Sequence, residues 1–168
     1  ELCSILLPDS AHIQESDAEF ANRKGMRAGK KLVEPLFTLD DAYKALTMFK
    51  IHEFNEAFAV IPGITVKFKV AGHILGSAIV EMCLEENGKQ TKLIFTGDIG
   101  QPNQPIIEDP ANLTCSDFVI TESTYGDRTH EVYDKEGELA RIVNEAAESG
   151  GNVVIPAFAV GRTQVLLY

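Results

Sequence analysis

Read by pattern, the 168 residues predict an α/β fold, a sheet-rich first part joined to a β–α–β–α tail. Three observations carry this reading. Helix-start signatures mark the first third, a period of two takes over at Ile64, and a helical stripe flanked by short apolar runs occupies the end of the chain.

Ser16-Asp17-Ala18-Glu19 and Thr38-Leu39-Asp40-Asp41 both have the [ST]-x-x-[DE] form in which a hydroxyl and a carboxylate satisfy the free N–H groups at a helix start, so each predicts a short helix. Before them, Ile5-Leu6-Leu7 reads as an apolar strand, and Asp9 to Glu15, including His12, as a polar loop that caps the next helix. From Ile64, Val66, Phe68 and Val70 alternate with Thr65, Lys67 and Lys69, as a half-buried strand requires. Ser77 to Glu85 and Gln90 to Thr96 then form a hairpin, because Asn87-Gly88 supplies the positive φ values of a tight turn. Asp117 to Thr121 reads as a short buried strand. Leu139, Ile142, Val143, Ala146 and Ala147 form a helical stripe ending at Gly150-Gly151, Asn152 to Pro156 reads as a strand, and Gly161-Arg162-Thr163-Gln164 opens a further helix. The two parts meet near residues 122 to 127, giving domains over 1–126 and 127–168.

Composition excludes several classes. Apolar residues make up 45% and charged residues 24%, near the globular average, so neither disorder nor a fibrous repeat is indicated. No apolar run reaches the roughly 18 to 20 residues that span a bilayer, and the acidic start is unlike a signal peptide. Cys3, Cys83 and Cys115 are far apart and in no C-x-x-C spacing, which argues against a disulfide framework or a thiolate zinc site and for a reducing cytoplasm. Fifteen basic against twenty-five acidic residues give −10, the wrong sign for binding nucleic acid by bulk charge. Arg23, Lys24, Arg27, Lys30 and Lys31 are the local exception, either a solvated loop or a phosphate contact.

His73 lies between glycines in Ala-Gly-His-Ile-Leu-Gly-Ser, after one strand and before the next, and Asp98 lies in Phe-Thr-Gly-Asp-Ile-Gly at the end of the second hairpin strand. Glycine on the flank lets the backbone turn and present each side chain, and imidazole with carboxylate is the donor chemistry of zinc hydrolases. A catalytic zinc takes three protein ligands, and His12, His52 and His130 form no close His-x-His pair that would supply more. Glu122, ending the strand 118–121, is either a helix cap or a partner that orients a histidine. Gly161-Arg162-Thr163 offers N–H groups and a guanidinium to a phosphate, or is a structural strand-to-helix turn. Serine-hydrolase, P-loop and dinucleotide signatures are absent from the sequence.

Five segments, Asp-Ser-Ala-His-Ile-Gln-Glu (9–15), Ala-Gly-His-Ile-Leu-Gly-Ser-Ala (71–78), Phe-Thr-Gly-Asp-Ile-Gly (95–100), Thr-Glu-Ser-Thr-Tyr-Gly (121–126) and Pro-Ala-Phe-Ala-Val-Gly-Arg-Thr-Gln (156–164), occur here in the order seen in the β-CASP branch of the metallo-β-lactamase superfamily. Each alone is weak; five in order are specific, and the resemblance covers most of the chain.

The resemblance implies part of a metallo-β-lactamase αββα sandwich followed by the start of a Rossmann-like β-CASP domain. It implies zinc-dependent hydrolysis of phosphodiester bonds in single-stranded RNA, with two zinc ions, in the cytoplasm. His73 resembles the third-motif zinc ligand, Asp98 the fourth-motif carboxylate that bridges the metals, and Glu122 the first β-CASP acid, which steers a proton-donating histidine. Asp98 and Glu122 are thereby the expected catalytic residues, and Gly161, Arg162 and Thr163 the expected substrate contacts. The segment at His12 is matched without a metal role. The His-x-His-x-Asp-His motif is expected before Glu1 and the later β-CASP histidines after Tyr168, so the chain resembles an internal fragment, inactive alone. A small-molecule hydrolase of the same superfamily and a non-catalytic scaffold subunit are the rival readings.

Overall fold

A computed structural model describes residues 1–26, 29, 31–129 and 134–168. By internal contacts the chain divides into two compact units, 1–51 and 52–168. In the first, helix α1 (Cys3–Met26) packs on helix α2 (Leu39–Thr47). The expected strand at Ile5–Leu7 and polar loop at Asp9–Glu15 are both helical, and Ser16 lies inside α1 rather than capping a new helix. The physical reason is continuity. No glycine interrupts residues 3–24, so the helix runs through the local capping signal, and Ala11 and Ala18, seven residues apart, fall on one stripe that is buried.

Glu15 and Asn22 use the same helix to fix the connection that follows. The Leu39 amide donates to Glu15 Oε1 at 3.2 Å, and Asn22 exchanges two bonds with Val33, at 2.7 and 2.8 Å. Thr38 caps α2 as the sequence implies. The Asp41 amide donates to its hydroxyl, and the Asp41 carboxylate accepts from the Thr38 hydroxyl and then from the Thr38 amide, which together hold the Asp41 carboxyl below the usual range.

The second unit is built on a five-stranded sheet, β1 (Ala57–Ile61), β2 (Ile64–Val70), β3 (Ala78–Glu86), β4 (Lys89–Phe95) and β5 (Phe118–Ile120), in spatial order β1-β2-β3-β4-β5. The first four form an antiparallel meander; β5 joins β4 in parallel. Asn87 and Gly88 take φ of 52° and 74° in the β3–β4 turn, as the primed hairpin turn requires. Ala71, Ile79 and Ile94 form the core, with Ile99 and Leu113 packed against it.

Helix α3 (Lys135–Glu148) is capped by Asp134, and helix α4 (Arg162–Leu167) closes the described chain. The stripe foreseen on α3 exists but leaves Ile142 and Val143 exposed. Asn152 to Pro156 is not a strand. A strand persists only when a neighbour takes its backbone hydrogen bonds, and among the described residues none pairs with this segment. No helix of the described residues is long and apolar enough to cross a membrane.

Candidate functional site

The C-terminal ends of β2, β4 and β5 lie at one edge of the sheet, with the start of β3 between the first two, and each is followed by one of the residues singled out by pattern. After β2 the chain turns through Ala71-Gly72-His73. The Ser77 hydroxyl accepts from the His73 and Ile74 amides at 3.1 and 3.2 Å, and the Ala71 amide donates to the Ser77 carbonyl at 3.1 Å, closing the loop that carries the imidazole. After β4, Thr96-Gly97 delivers Asp98, with Gly97 at φ 55°. His73 Nε2 and Asp98 Oδ2 are then 3.7 Å apart, both side chains open to solvent.

That separation is too long for a hydrogen bond. It is close to the edge of a tetrahedron around one zinc: two donors at about 2.0–2.1 Å from the ion lie roughly 3.3–3.5 Å from each other. The pair thus fits one edge of a metal site. Among the described residues no third His, Cys, Asp or Glu completes a metal-holding group with them. His12 belongs to the other compact unit, the His52 ring stacks on Phe58 with centroids 3.5 Å apart, and His130 lies outside the described residues, as do Arg27 and Lys30 of the basic cluster.

The loops are locked together through backbone. The Gly100 amide donates to the Ala71 carbonyl at 2.8 Å, and the Ala111 amide to the Val70 carbonyl at 2.9 Å. Gly72 has φ 68°, and a Cβ there would lie 2.8 Å from the Pro110 nitrogen; a Cβ on Gly100 would overlap the Gly72 carbonyl oxygen. Only glycine permits this approach.

Glu122 follows β5 and turns back toward the loop that carries Asp98. Its Oε1 accepts from the Ile99 amide at 2.9 Å, and one residue earlier the Thr96 hydroxyl donates to the Thr121 hydroxyl at 3.1 Å. Hydrogen bonds from Thr124, and then that from Ile99, hold the Glu122 carboxyl below its usual range, with the His73 imidazole adding a little. The sequence reading took Glu122 for a cap or an orienting partner; here it orients backbone. Ser77 and Thr124 escaped the sequence reading. Their only signal is a hydroxyl within four residues of the chemical group, the spacing of local side-chain-to-backbone bonds.

Gly161, at φ 99°, abuts the histidine loop: a Cβ there would come 3.0 Å from Ile74 Cγ2. Gln164 Oε1 accepts from the Gly161 amide at 2.7 Å. Arg162 Nη1 donates to the Pro156 carbonyl at 3.0 Å, and the Thr163 hydroxyl to the Phe158 carbonyl at 2.7 Å, so both side chains brace the turn from Pro156 to Thr163.

No family model matches the chain. A Thermus thermophilus ribonuclease is 34% identical over 140 residues, 83% of this chain and 31% of the relative. An RNase J-like protein of Methanocaldococcus jannaschii is 35% identical over 132 residues, 76% of this chain and 30% of the relative. Cleavage and polyadenylation specificity factor 73 of Drosophila melanogaster is 33% identical over 134 residues, 79% of this chain and 19% of the relative. The chain thus spans about a third or less of the length of these relatives.

Proposed function

The chain belongs to the β-CASP branch of the metallo-β-lactamase superfamily, and from that premise we propose that the complete protein carrying it is a zinc-dependent ribonuclease acting on single-stranded RNA. The observation that supports this most directly is the His73–Asp98 pair, whose 3.7 Å separation suits two donors to a shared ion. His73 and Asp98 would each hold metal, in a metallo-β-lactamase domain over 1–126 that continues into a β-CASP domain from 127. Bound zinc would supply Lewis acidity, making water acidic enough to attack at neutral pH and neutralising charge on the phosphate. The chain's own work is to hold these donors at the ends of β2 and β4, on the same edge of the sheet, and to keep Glu122 ionised beside them. The three free thiols suit a reducing cytoplasm.

Arg162 is the proposed phosphate contact, with Gly161 and Thr163 shaping the turn that presents it. A guanidinium has five donors and Pro156 takes one, which orients the fork without exhausting it. Local charge must carry RNA binding because the chain's net charge is −10. Arg162→Ala in the complete protein is expected to weaken RNA binding and to make the log–log salt dependence shallower by just under about one unit. Affinity measured from low to moderate salt, beside a melting curve, checks this; an unchanged slope with a lower melting temperature would leave Arg162 a purely structural brace.

The 168-residue chain by itself, given zinc and labelled single-stranded RNA, is expected to leave the RNA intact. His73 and Asp98 offer two donors where a catalytic zinc takes three. The complete protein is expected to cut the same RNA in a chelator-sensitive way. Chelator-sensitive cleavage by the 168-residue chain, or none by the complete protein, would overturn this reading.

A further inference from the structure

We propose that Glu122 is a positioning residue for the metal-ligating carboxylate: by accepting the Ile99 amide proton, it fixes the backbone that aims Asp98 at the metal. The inference rests on the reading of His73 and Asp98 as metal donors.

The Asp98 side chain is 71% exposed, and among the described residues its carboxylate is fixed by no hydrogen bond, only facing His73 at 3.7 Å. Its direction is therefore set by its backbone. The Ile99 N–H belongs to the peptide unit that begins at the Asp98 α-carbon, and that unit is planar, so holding the N–H fixes where the Asp98 α-carbon sits and narrows the directions in which its side chain can project. Glu122 Oε1 takes that N–H at 2.9 Å, and the next amide, Gly100, is held by the Ala71 carbonyl at 2.8 Å. The first anchor comes from β5 and the second from the histidine loop, so the segment bearing Asp98 is tied on both sides. Thr124 braces the carboxylate in turn, and the Thr96–Thr121 hydroxyl bond joins the same two strand ends one residue earlier. Partners that orient metal ligands commonly change metal affinity by about 10–100-fold when removed.

A Glu122 that served only to steer an acid toward the substrate would leave metal affinity untouched, and this separates the two roles. In the complete protein, zinc affinity is measured by competition with a chromophoric chelator for the native protein and for Glu122→Ala, Glu122→Gln and Asp98→Ala. Exchange of the Ile99 amide is followed by NMR in the metal-free proteins. Glu122→Ala is expected to bind zinc about 10–100-fold more weakly and to exchange Ile99 faster. Glu122→Gln, whose side-chain carbonyl can still accept that proton, is expected to recover most of the affinity and the protection. Equal losses in both variants would show that charge rather than the hydrogen bond matters and would overturn the inference. Native zinc affinity and Ile99 exchange in Glu122→Ala, with zinc lost in Asp98→Ala, would overturn the inference alone. Zinc binding undiminished in Asp98→Ala would instead remove the metal site on which the inference stands.

Discussion

Replacing Asp98 with Ala in the complete protein is expected to lower RNA cleavage by at least about a thousandfold and to strip metal from the site, while leaving the melting temperature of the metal-free protein nearly unchanged. The first part follows from charge stabilisation: metal assistance contributes several kcal/mol to the barrier, and each 1.36 kcal/mol is about tenfold in rate. The second part follows from position. At 71% side-chain exposure, with its carboxylate facing only His73, Asp98 contributes little packing that the fold could miss. Single-turnover cleavage, metal analysis and a thermal melt on one preparation test all three statements. A variant that keeps both its metal and its rate would show that the pair of donors is misread; one that loses both only because it unfolds would show that Asp98 is structural.

Gly100→Ala is expected to fail the other way, through the fold. The added methyl would overlap the Gly72 carbonyl oxygen and sit 2.7 Å from the His73 nitrogen. Gly72 itself sits in a tight place, since a Cβ built on it would lie 2.8 Å from Pro110 and 2.9 Å from the Glu108 carbonyl. Overpacking typically costs about 1–3 kcal/mol, and a clash with backbone that is itself wedged belongs at the upper end, about 3 kcal/mol. For a domain of this size that corresponds to a fall in melting temperature of roughly 6–12 °C. Zinc affinity should fall with it, since whatever shift relieves the clash moves His73 away from Asp98. Melting curves and metal competition measure the two effects; native values for both would mean that the loops part more easily than their packing implies.

Much of the sheet was legible because its signals are local and redundant. Alternation over 64–70, Asn87-Gly88, and the apolar run before Glu122 each specify a strand or turn without reference to the rest of the chain, and β2, the β3–β4 hairpin and β5 formed where these signals lie, although β5 is exposed along its length and not buried as expected. Strand β1 escaped because Ala57 to Ile61 is uniformly apolar rather than alternating; Pro62-Gly63, with Gly63 at φ 81°, was the available clue. The opposite error occurred at Ser16, where a helix-start signature lies inside a helix already under way, and a capping motif cannot report what precedes it. Residues 152–156 have strand composition but no partner among the described residues, a tertiary condition that composition does not encode.

In the site, glycines flanking His73 and Asp98 marked both proposed donors, and a carboxylate at a strand end marked Glu122. The bond from Ile99 to Glu122, across 23 positions, depends on the parallel placement of β5 and had no counterpart in the linear pattern.

That parallel strand also bears on how the sheet is assembled. β1 to β4 connect neighbours in sequence, whereas β5 must close a long excursion from Phe95 to Phe118 before its pairing contributes any free energy. Loop closure costs more as the loop lengthens, and non-local pairings form later in folding. The meander is therefore expected to form first and to bring the His73 and Asp98 segments together, with Glu122 arriving when β5 docks. Refolding followed by exchange labelling should find the Leu93 amide, which faces β3, protected before that of Ile99. A metal ion present throughout would meet its carboxylate ligand while that ligand is still free to swing.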